Sequence, residues 1–442
     1  MSIEKRQILD MNAFDRHLQG GSVAEQVKRR LSNLGSTSVL FYQEPIEMVS
    51  ASGAWMTAQD GSRFLDFYNN VLSVGHCHPT VVEAISRQTA RLTINTRYLN
   101  RVVDDYLEAL KARLPNDLSN LALTCSGSEA NDLAMRIACK VTGKRGFIVT
   151  ENAYHGNTQA VTEISPSALK TQALPEHVVT VPAPGRSNYP DGNLAEGFAQ
   201  AIEQAACLLE KRGYGLAAFI CDSVFSSDGV FAHPTGLLTQ AVECVHRHGG
   251  LYIADEVQPG FARTGTGFWG FEHHQAAPDL ITMGKPMGNG YPIAGLAARP
   301  DYFDRFSEDV GYFNTFGGNP VAAAAGHAVL DVIEHEGLQQ NARDSGRYLA
   351  QKLEALSESC NCISEVRSLG LFIGVEVSKN RSIEEPDPQR ASAIIAGLRY
   401  QKVLIGAAGK FGNVLKIRPP LCTSQAEADF FINALSTVLS ES

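Results

Sequence analysis

The stretch "DLITMGKPMGNGYPIAG" carries one lysine, Lys285, out of a short apolar run and into a segment of Gly and Pro. Alone, such a lysine reads as a solvated surface charge. Its neighbours argue for chemistry. Upstream, "LYIADEVQ" ends an apolar run in Asp255-Glu256, and a carboxylate buried at a strand end needs a cationic partner. Further upstream, "LALTCSGSEANDLAMRIACK" passes through Ser126-Gly127-Ser128 into a helical pattern. Backbone N–H groups at that helix start could hold a phosphate, an ordinary helix cap being the alternative. A phosphate cradle, a strand-end acid and a strand-end lysine, in that order, match three demands of pyridoxal 5′-phosphate. Its aldehyde needs a lysine, its pyridine nitrogen an acid, and its phosphate N–H donors. "AYHG" (153–156) adds Tyr154, an aromatic that lies against a planar ring or packs in a core.

These residues need strands to deliver them. The runs "RGFIVTEN" (145–152), "HVVTVPAP" (177–184), "LAAFICDS" (216–223), "GGLYIADEV" (249–257) and "DLITMGK" (279–285) are rich in Val, Ile and Leu, as buried parallel strands are. Between them, "EGFAQAIEQAACLLEKRG" (196–213) and "GLLTQAVECVHRHGG" (236–250) carry apolar residues at helical spacing and end in Gly. The pattern predicts an α/β fold, with a large doubly wound, mostly parallel sheet domain over 61–320. Ligands bind such sheets at the C-terminal strand ends, where Asp255 and Lys285 fall. Residues 321–442, an Ala-rich helix followed by strand-like runs, read as a smaller α+β domain. Residues 1–60, with a helix and the hairpin candidate that begins at "EMVSASGAW", are expected to pack with it. "SKNRSIEEPDPQRA" is the best linker candidate, and no internal repeat or low-complexity tract is evident.

Composition excludes several classes. A chain of 442 residues with 44% hydrophobic content has the makings of large buried cores. Its net charge of -9, without a basic cluster, argues against nucleic acid as a partner. The charged N-terminus has neither the apolar core of a signal peptide nor a membrane span, so a cytoplasmic chain with no membrane partner is expected. Nine cysteines are scattered, and Cys360 with Cys362 lacks a second pair at zinc-site spacing, so reduced thiols and no metal are expected. "HCH" (76–78) offers no third ligand, and "GTGFWG" (265–270) lacks the long helix of a dinucleotide site.

Over nearly its whole length, the chain resembles the class III pyridoxal-phosphate aminotransferases of fold type I. The resemblance rests on "SGSEAND", "AYHG", "IADEVQPGFARTG", "MGKPMGNGYP" and "FNTFGGNP", in family order. It implies a homodimer with active sites at the subunit interface. It also implies that Lys285 is the Schiff-base lysine, Asp255 the pyridine partner, Gly127 and Ser128 the phosphate cradle, and Tyr154 the stacking aromatic. Gln258 would meet the ring-hydroxyl side, and Thr315 the phosphate of the neighbouring subunit's cofactor. "NNVLSVGHCHP", "MGKPMGNG" and "NVLKIRPPLC" are most similar to the ethanolamine-phosphate and phosphohydroxylysine phospho-lyases, relatives of the alanine–glyoxylate aminotransferase group.

Departures from the aminotransferase pattern point the same way. Members that use 2-oxoglutarate pair an arginine for the substrate carboxylate with a gating glutamate. Here Lys416 stands at the arginine position, Asp222 at the family's first glutamate and Ser227 at the gate. An ammonium is a competent point charge for phosphate, whereas a guanidinium suits a bidentate carboxylate. The expectation is a phospho-lyase acting on ethanolamine phosphate or a similar phosphorylated amine, held by Lys416, Arg418 and Arg97. The alternative is a transaminase of the ω-amine or alanine–glyoxylate type, with Arg418 as a carboxylate clamp.

Overall fold

A computed structural model of the protein describes residues 7–8, 10–14, 24–37, 39–189 and 192–441. The N-terminal strands are β1 (Met48–Ser52), β2 (Trp55–Ala58) and β3 (Arg63–Asp66). Seven central strands follow: β4 (Asn120–Thr124), β5 (Gly146–Thr150), β6 (Val178–Val181), β7 (Leu216–Asp222), β8 (Leu251–Asp255), β9 (Leu280–Met283) and β10 (Ala294–Ala298). The C-terminal strands are β11 (Ile363–Leu369), β12 (Phe372–Val377), β13 (Val403–Leu404), β14 (Gly406–Ala408) and β15 (Val414–Ile417).

The central strands form one sheet in the order β4-β10-β9-β8-β7-β5-β6. Only β10 within it runs antiparallel to its neighbours, β4 and β9. Alternation along each strand explains why the sequence shows unbroken apolar runs. Phe147 and Val149 of β5, Ala218 and Ile220 of β7, and Ile253 of β8 pack in one core with Leu133 and Ile137 of the helix Gly127–Thr142. Ile148, Phe219, Tyr252 and Ala254 on the other face join Phe198 and Ile202 of the helix Leu194–Lys211 in a second core. Both faces are covered, which is the doubly wound arrangement.

The flanking segments build two smaller sheets. β1, β2 and β3 are antiparallel, and β3 then pairs in parallel with β13, setting Leu65 against Val403 and Asp66 against Leu404. The hairpin candidate is thus a three-stranded meander closed by a strand from the far end of the chain. β11, β12, β15 and β14 form an antiparallel sheet in which Lys416 lies between Gly374 and Gly406. The linker candidate is a correction. Within "SKNRSIEEPDPQRA", Ser378 is buried with its amide on the carbonyl of Cys362, and Pro388 opens the helix Pro388–Tyr400, capped by Asp387. Pro at a helix start is favoured because its missing N–H has no acceptor there in any case. Among the described residues, no helix is long and apolar enough to cross a membrane.

Candidate active site

Asp255 is the last residue of β8 and 4% exposed. Its Oδ2 accepts a bond from Asn131 Nδ2 at 3.0 Å and faces His155 Nδ1 at 2.7 Å, while Oδ1 accepts from the Val257 amide at 3.1 Å. Asn131 comes from the helix Gly127–Thr142 and His155 from the loop after β5, so three elements converge on one carboxylate. His155 and Asn131 both stand in motifs quoted above, but their spacing does not reveal that they orient Asp255. Tyr154, next to His155, is partly buried, and burial raises its phenol.

Lys285 lies two residues beyond the end of β9, in the turn that follows rather than in the strand itself. Burial lowers its proton affinity; Asp255 opposes that shift and Arg418 adds to it. Among the described residues, its amine enters no ion pair. The helix carrying Gly127 and Ser128 is N-capped by Ser126, whose side chain accepts from the Glu129 amide. The first-turn amides have no acceptor within the helix and are available to an anion. A Cβ on Gly127 would stand 2.8 Å from both methyls of Val257, so the close approach of this turn to the strand-end loop requires glycine.

Gln258 does not stand alone. Its Oε1 accepts from Arg418 Nη1 at 2.8 Å and Asn70 Nδ2 at 3.2 Å, and its Nε2 donates to Ser226 Oγ at 2.8 Å. Arg418 is 6% exposed, lies 4.9 Å over the ring of Tyr68, and leaves its Nε without a partner. Lys416 is 3% exposed; burial first, then Arg418, hold its ammonium well below the usual lysine range. The carboxylates that pull the other way are already committed. Asp222 accepts from the amides of Val224 and Ser226, and Asp228 accepts from Thr150 and the Asn152 amide. Burial raises Asp228 to about 6. Ser227 is buried beside them and brings no charge. Neither Lys416 nor Arg418 takes part in an ion pair among the described residues.

The chain therefore brings Lys285, Asp255, Lys416 and Arg418 close enough to influence one another's charge, with Gln258 bonded to Arg418. Two candidates fall outside this group. Arg97 is exposed and stacks 4.1 Å over Phe313, and Thr315 lies exposed in the following loop beside Phe316. The residues present fit pyridoxal phosphate. An acid held by two oriented donors, a partly buried amine without a counter-ion, and a glycine-tight helix start with free amides are the groups its ring nitrogen, aldehyde and phosphate require.

Comparison with known proteins agrees with that cofactor. The family model described as aminotransferase class-III matches residues 41–439. A Drosophila melanogaster protein named alanine–glyoxylate aminotransferase 2-like is 38% identical over 424 residues, spanning 93% of this chain and 86% of its own. A Caenorhabditis elegans protein named ethanolamine-phosphate phospho-lyase homolog 1 is 37% identical, over 95% of this chain and 94% of its own. Among solved structures, a phospholyase from Arthrobacter in complex with phosphoethanolamine superposes with a TM-score of 0.91 at 38% identity, covering 94% of this chain and all of that one.

Proposed function

The chain belongs to the class-III aminotransferase family of pyridoxal-phosphate enzymes, and from that premise we propose that it is a phospho-lyase that removes phosphate from ethanolamine phosphate or a similar phosphorylated amine. The observation that carries the reading is the pair of buried basic side chains, Lys416 and Arg418, which influence the charge of Lys285 and, among the described residues, have no carboxylate paired to either. Two unpaired buried cations are costly unless a ligand brings negative charge, and a phosphate monoester brings about two. The likeness to the phosphoethanolamine-bound phospholyase supports the same class of substrate.

When bound, pyridoxal phosphate supplies an aldehyde for the substrate amine and an electron-withdrawing ring that stabilises charge at the neighbouring carbon. Gly127 and Ser128 would hold its phosphate by their amides. Asp255, fixed by Asn131 and His155, would favour a proton on the ring nitrogen through its opposite charge. Lys285, whose proton affinity burial lowers, removes the proton from the substrate carbon that bears nitrogen. Lys416 and Arg418 hold the substrate's phosphate and steady it as it departs with the electron pair of its C–O bond. With one water consumed, the products are acetaldehyde, ammonia and inorganic phosphate.

The cofactor-loaded protein given ethanolamine phosphate without any oxo acid should release these three in equal amounts. A second reading, transamination, is favoured by the relative named as an alanine–glyoxylate aminotransferase. Absence of phosphate release, with alanine converted to pyruvate only when glyoxylate is supplied, establishes that alternative and overturns the first. We further propose a homodimer in which Thr315 reaches the partner's cofactor, with Arg97 near the seam. Its support is the apolar surface around that loop, where Tyr98, Leu99, Phe313 and Phe316 are exposed, Leu99 at 99%.

A further inference from the structure

The helices Leu194–Lys211 and Thr239–Arg247 pack side by side, and each presents two metal-binding side chains one turn apart. The first carries Glu203 and Cys207; the second carries Cys244, and His248 follows as its C-cap. Side chains at i and i+4 share a helix face, so Cys207 lies on the face of Glu203 and His248 on that of Cys244. Three already converge. A carboxylate oxygen of Glu203, Cys244 Sγ and a ring nitrogen of His248 lie within 4.8 Å of one another. Glu203 Oε2 accepts from Cys244 Sγ at 2.9 Å, and Oε1 stands 2.7 Å from His248 Nε2. Cys207 is exposed and lies one turn from Glu203 on the same helix face.

We propose that Glu203, Cys207, Cys244 and His248 form a zinc site. It is separate from the pyridoxal-phosphate pocket, because His248 precedes the start of β8 and Asp255 ends that strand. Two sulfurs, one imidazole and one carboxylate suit a borderline ion rather than calcium or magnesium, which take oxygen ligands. A supporting shell is present as well. His248 Nδ1 meets Glu210 Oε1 at 2.7 Å, the carboxylate–histidine arrangement that fixes ring orientation and raises ligand basicity. Zinc–ligand distances of about 2.0–2.3 Å set donors about 3.5 Å apart in a tetrahedron, so entry opens the present contacts by somewhat under 1 Å. Half-exposed Glu203 gives way readily, and the exposed Arg247, now 3.0 Å from Glu203 Oε2, swings into solvent. Binding breaks the S–H bonds of Cys244 and Cys207 and frees His248 Nε2 of any proton; the protons pass to water and no redox change occurs.

The test uses the full-length, cofactor-loaded protein, stripped of metal by a chelator and then titrated. Zinc, followed by competition with a chromogenic chelator, should bind at one equivalent with a Kd below about 1 µM. Cadmium should produce an ultraviolet thiolate band that halves in Cys207→Ser and in Cys244→Ser. Because Cys244 is buried and its variant could fold poorly, surface Glu210→Gln serves as a second variant, expected to weaken zinc by about 10- to 100-fold with cofactor content unchanged. Zinc binding only above about 10 µM, or equal affinity in wild type, both cysteine variants and Glu210→Gln, overturns the proposal.

Discussion

Burial lowers the proton affinity of Lys285, which favours the unprotonated amine that a nucleophile or a base needs, and removing it tests both roles. Lys285→Ala should lower turnover by at least about a thousandfold, the scale of a positioned general base together with loss of the covalent amine, and should change the visible spectrum of the loaded protein. Near-normal turnover would reject the assignment. Lys416 makes a different kind of statement, because its ammonium is held well below the usual lysine range by burial and by Arg418. In the ligand-free pocket it therefore gives up its proton at lower pH than a free lysine, and a phosphate restores that proton affinity. At pH above the point where the ligand-free Lys416 loses its proton, and with the phosphate fully ionised, substrate binding should take up a proton and affinity should fall as pH rises. Calorimetry in buffers of different ionisation enthalpy measures the uptake; Lys416→Ala should abolish it and weaken ethanolamine phosphate by about 1.5–3 kcal/mol. Binding that releases protons, or is indifferent to pH in the intact protein, contradicts this picture.

The helix Gly127–Thr142 does two jobs, offering its first-turn amides at one end and sending Asn131 to Asp255 one turn later. Its position depends on how tightly its start approaches Val257. Gly127→Ala should push the first turn away and weaken cofactor binding by about tenfold or more, the added methyl overlapping both valine methyls. Adding Val257→Ala should recover much of that loss, read by cofactor titration of both variants. If the single variant binds normally, the close approach has no role. Elements of this kind were legible in the sequence because period and punctuation coincide: β5, β7 and β8 lie inside the apolar runs, and the helix after Ser126 begins at its cap. Asp255 and Gly127 could be placed because one ends and the other starts an element, whereas Lys285 falls two residues past the strand expected to carry it. The partners that orient them could not, since His155 and Asn131 meet Asp255 from separate elements. The run "SKNRSIEEPDPQRA" misled for a related reason, its charge and prolines marking a cap and a tight turn inside a packed unit rather than a joint between units. Glu203, Cys244 and His248 were equally hidden, since they come together only when the two helices lie side by side.

At the scale of the whole molecule, the pocket gathers distant parts of the chain: Tyr68 and Asn70 from the N-terminal region, Gln258 from the large sheet, Lys416 and Arg418 from the C-terminal sheet. With Thr315 proposed to complete the neighbour's site, association and cofactor retention should be linked. Leu99→Asp with Phe316→Asp, charging the exposed apolar surface, should give a monomer by light scattering that loses cofactor on dilution. A monomer that stays loaded and active would refute the shared site. The parallel pairing of β3 with β13 carries a further consequence. A ribosome releases Leu65 long before Val403, so the N-terminal meander waits with one edge uncovered while the large sheet, whose strands lie closer in sequence, can already assemble. During synthesis that bare edge is open to a neighbouring nascent chain, and only the last tenth of the polypeptide to emerge closes it and delivers the two cations to the pocket.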